Sequence, residues 1–257
     1  MTIAALHVED SGGTGPAVVL AHAIGCDGRM WDDVAEQLAS RHRIIRLDAR
    51  GHGRSPVPPR PYTLEAMADD ARGTLDRLGI AKAHWVGLSM GGMIGQAFAL
   101  GHGDRLDRLV LANTTSSYGP EGRALWEARA RLVSEGGLAA IAPTVEQRYF
   151  SEAYRATAPR VVAHVMGRFM QTPAAGYLGC CDAIAALDFS ARLAEIRHRT
   201  LVIAGELDAG TPVAMSEAMV AKMPDARLAV IKGAAHLSAV EKPDEFARLV
   251  LDFLAAP

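Results

Sequence analysis

No apolar run in this sequence approaches the roughly 20 residues that a bilayer-spanning helix requires. The longest stretches, such as Ala17 to Ala21 and Ala234 to Val240, are short and interrupted, which excludes a membrane-spanning protein. Met1 to Asp10 lacks a cationic segment followed by an apolar one, so no secretory leader is expected and a cytoplasmic location is the default. Cysteine is scarce. Cys26, Cys180 and Cys181 form neither a CxxC pair nor a Cys/His ligand pattern, which excludes a disulfide framework and a zinc site and leaves reduced structural thiols. Charge of one sign is also lacking. With 27 basic residues against 29 acidic ones, a net charge of -2 and no basic block, nucleic acid is not an expected partner. What is present in quantity is apolar side chain, 49% of 257 residues, ample for a core and incompatible with disorder. That length suits one large α/β domain, with or without an insertion.

Short apolar runs bounded by turn residues alternate with segments of helical period, the pattern of a mostly parallel sheet covered by helices. Strands are predicted over Ile3 to Val8, Ala17 to Ala21, Arg43 to Leu47, Ala83 to Leu88, Leu106 to Ala112, Thr200 to Ala204 and Arg227 to Ile231. Val18-Val19-Leu20 and Leu201-Val202-Ile203 do not alternate, as expected of strands buried on both faces. Trp31, Val34 and Leu38 mark one helix, and Leu64, Met67, Ala68, Ala71, Leu75 and Leu78 stripe another that Gly79 can end. Thr211-Pro212 reads as an N-cap and first helical residue. The spacing of Phe246, Leu249, Val250 and Phe253 predicts an amphipathic final helix. From Gly119 to Leu187 the strand signal vanishes, and consecutive helices punctuated by Pro143, Pro159 and Pro173 are expected.

Gly87-Leu88-Ser89-Met90-Gly91 matches G-x-S-x-G. The motif follows the apolar run Ala83 to Val86 and precedes a helix over Gly92 to Leu100, so Ser89 sits on a strand-turn-helix corner whose flanking glycines keep side chains out of the neighbouring elements. A serine hydroxyl needs a base to become nucleophilic, normally a histidine oriented by a carboxylate. In this arrangement the chain order is nucleophile, acid, base. Asp208 follows the strand ending at Ala204, and His236 follows the strand ending at Ile231; both lie past carboxyl ends of predicted parallel strands, where open α/β sheets bind ligands. His236 alone among the nine histidines lies beyond Asp208. Glu206 competes with Asp208 but is nearer the strand end, where it can pair locally. The negatively charged oxygen of acyl transfer needs two preorganised donors. These are assigned to the backbone N–H groups of Met90, after the nucleophile, and of Ile24, in the loop His22-Ala23-Ile24-Gly25. His52 precedes Ser89 in a glycine-rich turn, and a loop-fixing role is expected for it and Arg50.

Taken in order, the loop at residues 22–25, Asp48 to Ser55, the Ser89 corner, Asp208 and His236 resemble the α/β-hydrolase superfamily over essentially the whole chain. The resemblance implies a mostly parallel eight-stranded sheet flanked by helices. A helical cap, residues 119–187, would be inserted before the last two strands into a core of residues 1–118 and 188–257. The strand missing from the seven above would be N-terminal, around Ala4 to Asp10 or Val18. Within the superfamily, the Gly87 to Gln96 run, Trp126-x-x-Arg129, Pro173 to Tyr177 with Cys180 or Cys181 and Asp188-Phe189, and His236-Leu237-Ser238 are similar to the enol-lactonases of the β-ketoadipate pathway. One departure is Ala23, where many relatives carry glycine.

The implied activity is hydrolysis of a small anionic lactone through an acyl-serine, with no metal or organic cofactor, no membrane and no nucleic acid; a homo-oligomer is left open. Trp126 and Arg129, three apart, share a helical face where the indole can line a pocket while the guanidinium takes a carboxylate bidentately. A helix that buries Trp126 and solvates Arg129 is the structural alternative. The segment from Gly119 to Leu187 carries seven arginines, no lysine and six acids, in keeping with carboxylate binding. A broader carboxylesterase, a cofactor-free perhydrolase, or a ligand receptor on the same scaffold are the competing readings.

Overall fold

Seven strands make one sheet in the computed structural model, which describes residues 3–256. They are β1 (Val8–Asp10), β2 (Ala17–Ala21), β3 (Arg43–Leu47), β4 (Ala83–Leu88), β5 (Leu106–Ala112), β6 (Thr200–Gly205) and β7 (Ala226–Ile231), in the spatial order β1-β3-β2-β4-β5-β6-β7. Only β1 runs antiparallel. Every residue of β2, β4 and β6 is buried, because helices cover both faces. No described helix is long and apolar enough to cross a membrane.

The sheet has seven strands where eight were expected, and the discrepancy lies at the N-terminus. Residues predicted as a strand from Ile3 do alternate in burial, with Ala4 and Leu6 inside. Their backbone, however, bonds to side chains of α2 (Leu64–Arg77): the Ala4 N–H donates to Asp70 Oδ1 at 2.6 Å, and Arg77 Nη2 donates to the Leu6 carbonyl at 2.9 Å. Regular pairing therefore begins only at Val8, opposite Leu47.

The order of the strands determines where a site can form. From β2 the chain moves outward to β3, then returns to the other side of β2 as β4, which creates a switch point between β2 and β4. Ala21 at the end of β2 lies in register with Gly87 near the end of β4. The loop 22–25 and Ser89 therefore leave the sheet side by side. Between β5 and β6 the chain is helical, as α4 (Gly119–Gly136), α5 (Ala142–Tyr149), α6 (Glu152–Thr157), α7 (Pro159–Gln171) and α8 (Ala174–Ala185). Thr211-Pro212 precedes α9 (Val213–Val220), but Thr211 does not cap it; the residue before the first helical position is Pro212.

Candidate active site

Ser89 links β4 to α3 (Met90–Gly101) with φ 56° and ψ -117°, a conformation that a non-glycine residue holds only when its surroundings enforce it. Four bonds do so: the Ser89 N–H donates to the Ala112 carbonyl at 2.8 Å, and the Ser89 carbonyl accepts from Thr114 Oγ1 at 2.8 Å and from the N–H groups of Gly92 (2.9 Å) and Met93 (3.0 Å). The flanking glycines have a steric cause. A Cβ on Gly87 would strike the Gly91 carbonyl, and one on Gly91 would strike the Ala21 carbonyl of β2. The corner can be this sharp only with hydrogen at both positions.

The three residues assigned by chain order meet. Ser89 Oγ lies 2.9 Å from His236 Nε2, and His236 Nδ1 lies 2.8 Å from Asp208 Oδ2. All three are buried. Asp208 Oδ1 accepts the N–H groups of Gly210 (2.8 Å) and Thr211 (3.0 Å), while Oδ2 also accepts from Thr211 Oγ1 (2.7 Å) and Asn113 Nδ2 (2.9 Å). Burial alone would raise this carboxyl, but the facing His236 ring and the bonds from Thr211 and Asn113 outweigh it and hold it down at about 2. A carboxylate placed here fixes Nδ1 as the protonated nitrogen and leaves the Nε2 lone pair toward Ser89. Glu206 faces away, accepting the Gly233 N–H at 2.9 Å.

Ile24 and Met90 stand on either side of the switch point. Met90 is the first residue of α3, so its N–H has no intrahelical acceptor, and among the described residues no hydrogen bond is made by the Ile24 N–H. Two histidines brace this region reciprocally. His22, on the first loop, accepts the Ala49 N–H through Nε2 at 2.9 Å; His52, on the second, accepts the Gly25 N–H through Nε2 at 2.9 Å. Accepting requires neutral rings, and burial supplies that condition: it lowers His22 and, with His22 as neighbour, brings His52 down to about 3. Arg50 is engaged elsewhere, in a buried bidentate pair with Asp70 at 2.6 and 2.7 Å.

Several residues of the site had no sequence assignment. Asn113, at φ 45° just past β5, donates to Asp208 and to the Ala235 carbonyl and accepts from Ser238 Oγ at 2.5 Å, joining the Asp208 and His236 loops. Its position after a parallel strand was the available signal. Tyr149, from α5, stacks on the His236 ring with centroids 6.1 Å apart, donates its hydroxyl proton to the Ile24 carbonyl, and accepts the Leu237 N–H on its own carbonyl at 2.9 Å. Buried Glu241 accepts from Ala235 N–H (2.9 Å) and Ser151 Oγ (2.6 Å), clamping the histidine loop to the helical segment. No local pattern announces these bonds. Because a Tyr149→Phe exchange removes one hydrogen bond to the Ile24 carbonyl and keeps the stacking ring, kcat should fall about tenfold with KM little altered. Steady-state kinetics check this, and an unchanged kcat would show that Ile24 is held without the hydroxyl.

Trp126 and Arg129 lie together on α4, with the guanidinium carbon 4.8 Å from the indole centroid. Arg129 Nη1 also reaches Tyr177 Oη at a long 3.4 Å. Both line a cavity of about 500 Å³ whose wall includes Arg148 and the residues Ala209 and Gly210 that follow Asp208. Ser89 and His236 are not part of that lining.

The family model of the alpha/beta hydrolase family matches residues 18–249. 3-Oxoadipate enol-lactonase 2 of Acinetobacter baylyi is 35% identical over 231 residues, covering 90% of this chain and 85% of its own. A protein of Caulobacter segnis provisionally named as a carbamate hydrolase is 32% identical over 244 residues, covering 92% of this chain and 90% of its own. Among solved structures, the enol-lactonase from Burkholderia xenovorans superposes with a TM-score of 0.94 at 36% identity, covering 98% of this chain and 96% of that one.

Proposed function

The chain belongs to the α/β-hydrolase family, and from that membership we propose that it is a serine hydrolase that opens 3-oxoadipate enol-lactone to 3-oxoadipate in aromatic catabolism through the β-ketoadipate pathway. The observation that carries the reading is the hydrogen-bonded series Ser89, His236, Asp208 beside a cavity holding Arg129 over Trp126.

Ser89 Oγ attacks the lactone carbonyl while His236 Nε2 takes its proton; Asp208 keeps the imidazole oriented and offsets the charge of the imidazolium. The carbonyl oxygen, now an anion, accepts from the N–H groups of Ile24 and Met90. Collapse breaks the ring C–O bond, and His236 returns its proton to the departing enol oxygen. The enol tautomerises to the ketone, which removes the nucleophile for ring closure. Water, deprotonated by His236, then cleaves the acyl-serine and releases a second carboxylate. The substrate's own carboxylate lies against Arg129, with the indole of Trp126 beneath the guanidinium.

A continuous assay of enol-lactone loss by the purified protein, run beside a panel of neutral aryl esters, tests the reading. Turnover of the lactone well above that of the esters is expected. Preference for aryl acetates would instead mark a general carboxylesterase, and a stable ligand complex without turnover would mark a receptor. Replacement of Arg129 by alanine should reduce kcat/KM for the anionic lactone roughly 10- to 100-fold, with a much smaller effect on neutral esters. Equal losses on both substrate types would make Arg129 a structural residue.

A further inference from the structure

The cavity beside Asp208 contains a second guanidinium that makes no direct ion pair among the described residues. Arg148 lies on α5, half-buried, with its side chain packed along Gly210; a Cβ built there would sit 3.1 Å from Arg148 Cδ. Arg148 and Arg129 line the same cavity from two different helices. Glu121 stands exposed on the lining, and neither it nor any other carboxylate comes within 4.0 Å of either arginine among the described ion pairs. Among the described residues the Arg148 side chain makes no hydrogen bond either.

This arrangement is costly without an anion. Two half-buried cations repel one another, and the hydration they lose is replaced only by the long bond from Arg129 to Tyr177 Oη and by the Trp126 ring beneath it, with no acceptor on Arg148. Burial lowers the Arg148 guanidinium and the charge of Arg129 adds to that effect, while Tyr118, Asp208 and Tyr177 offset part of it. Arginines elsewhere on the molecule resolve the problem with carboxylates: Arg50 with Asp70, Arg60 with Asp182, Arg43 with Asp10. A carboxylate supplied from outside would satisfy both forks at once.

We propose that Arg148 and Arg129 form a two-armed clamp for one substrate carboxylate, making Arg148 a specificity-determining residue that selects lactones and esters carrying an acid arm. The clamp rests on the reading of this cavity as the place of the substrate's carboxylate. It has a second consequence. Arg148 is followed directly by Tyr149, whose ring stacks on His236 and whose hydroxyl holds Ile24. The short helix α5 thus carries the anion-reading residue and the residue that braces base and oxyanion loop side by side.

The test uses two esters with one leaving group, 4-nitrophenyl hydrogen adipate, which bears a free carboxylate, and its neutral methyl ester, 4-nitrophenyl methyl adipate. Arg148→Gln should lower the ratio of kcat/KM values, acid over neutral, at least tenfold, chiefly through KM, and Arg148→Lys should recover part of the loss. Both esters are read on one preparation, so any loss of folded protein cancels in the ratio. A ratio that stays within twofold in Arg148→Gln, or a lysine variant no better than the glutamine variant, overturns the clamp. If the wild type leaves the enol-lactone intact while the ratio still falls in Arg148→Gln, the enol-lactone reading fails and the clamp stands. If the wild type opens the lactone and the ratio does not move, the clamp fails alone.

Discussion

Replacement of Ser89 by alanine is expected to lower kcat by a factor on the order of 10⁶, with the protein still folded. The loss is large because the alternatives are poor: without Oγ, His236 can only direct a water, and the covalent intermediate disappears. Survival of the fold follows from the local geometry. The backbone at φ 56° is held by bonds to the Ala112 carbonyl and from Thr114 Oγ1 and the Gly92 and Met93 N–H groups, all made through main-chain atoms of residue 89 that alanine retains. The melting temperature should therefore stay close to that of the wild type, while single-turnover kinetics lose the acyl-enzyme burst. A variant that kept a tenth of the activity would end the assignment of Ser89 as nucleophile.

Asp208→Asn should cost about 10⁴ in kcat, for a reason of hydrogen-bond polarity. Five donors converge on the two carboxylate oxygens: the Gly210 and Thr211 N–H groups, Thr211 Oγ1, Asn113 Nδ2 and His236 Nδ1. An amide offers one oxygen and one NH₂. In the flip that preserves the two backbone bonds, the NH₂ points at His236 Nδ1, which favours the tautomer with its proton on Nε2, facing Ser89. The base is then lost although every atom is nearly in place. The reverse flip abandons both loop N–H groups instead.

The same residue yields a stability signature. Its carboxyl is held at about 2, below the ordinary 3.8, so its stabilising effect is complete above pH 4 and disappears as pH falls toward 2. On the order of 2 kcal/mol should be lost by the wild type across that window and not by Asp208→Asn. Acid unfolding curves of the two proteins check this, and superimposable pH dependence would contradict the depressed value. Any acid limb of kcat/KM above pH 4 then belongs to a group other than Asp208.

The legible parts of this molecule were those whose cause is local. Gly87 and Gly91 are glycines because carbonyls stand where a Cβ would go, and that requirement is written within five residues. Chain order and strand ends sufficed to choose Asp208 and His236 for the same centre. Thr211 was misread because its hydroxyl satisfies two different demands equally well: an N-cap and an acceptor-rich carboxylate. In the fold, the carboxylate three residues earlier takes it. Asn113 and Tyr149 were illegible for a different reason. Their partners lie 95 and 125 residues away, and a polar residue after a strand or an aromatic at the end of a helix is ordinary until packing gives it a neighbour. At the N-terminus the alternation of Ala4 and Leu6 correctly marked an inner face. Burial does not specify a backbone partner, however, and the partner was Asp70 on a helix rather than another strand.

Tyr149 also bears on how such an enzyme can be rebuilt. Segments inserted over a hydrolase sheet invite exchange between relatives, as if they were interchangeable lids that set substrate preference and nothing else. Here the graft would carry away the ring against the His236 imidazole, the carbonyl that takes the Leu237 N–H and the Ser151 hydroxyl bonded to Glu241. A chimera joined at residues 118 and 188 would inherit a misaligned base unless the donor segment brought equivalents of all three. Retargeting by point changes on the cavity face of α4 and α5 leaves that scaffolding intact, and is the safer route to new specificity.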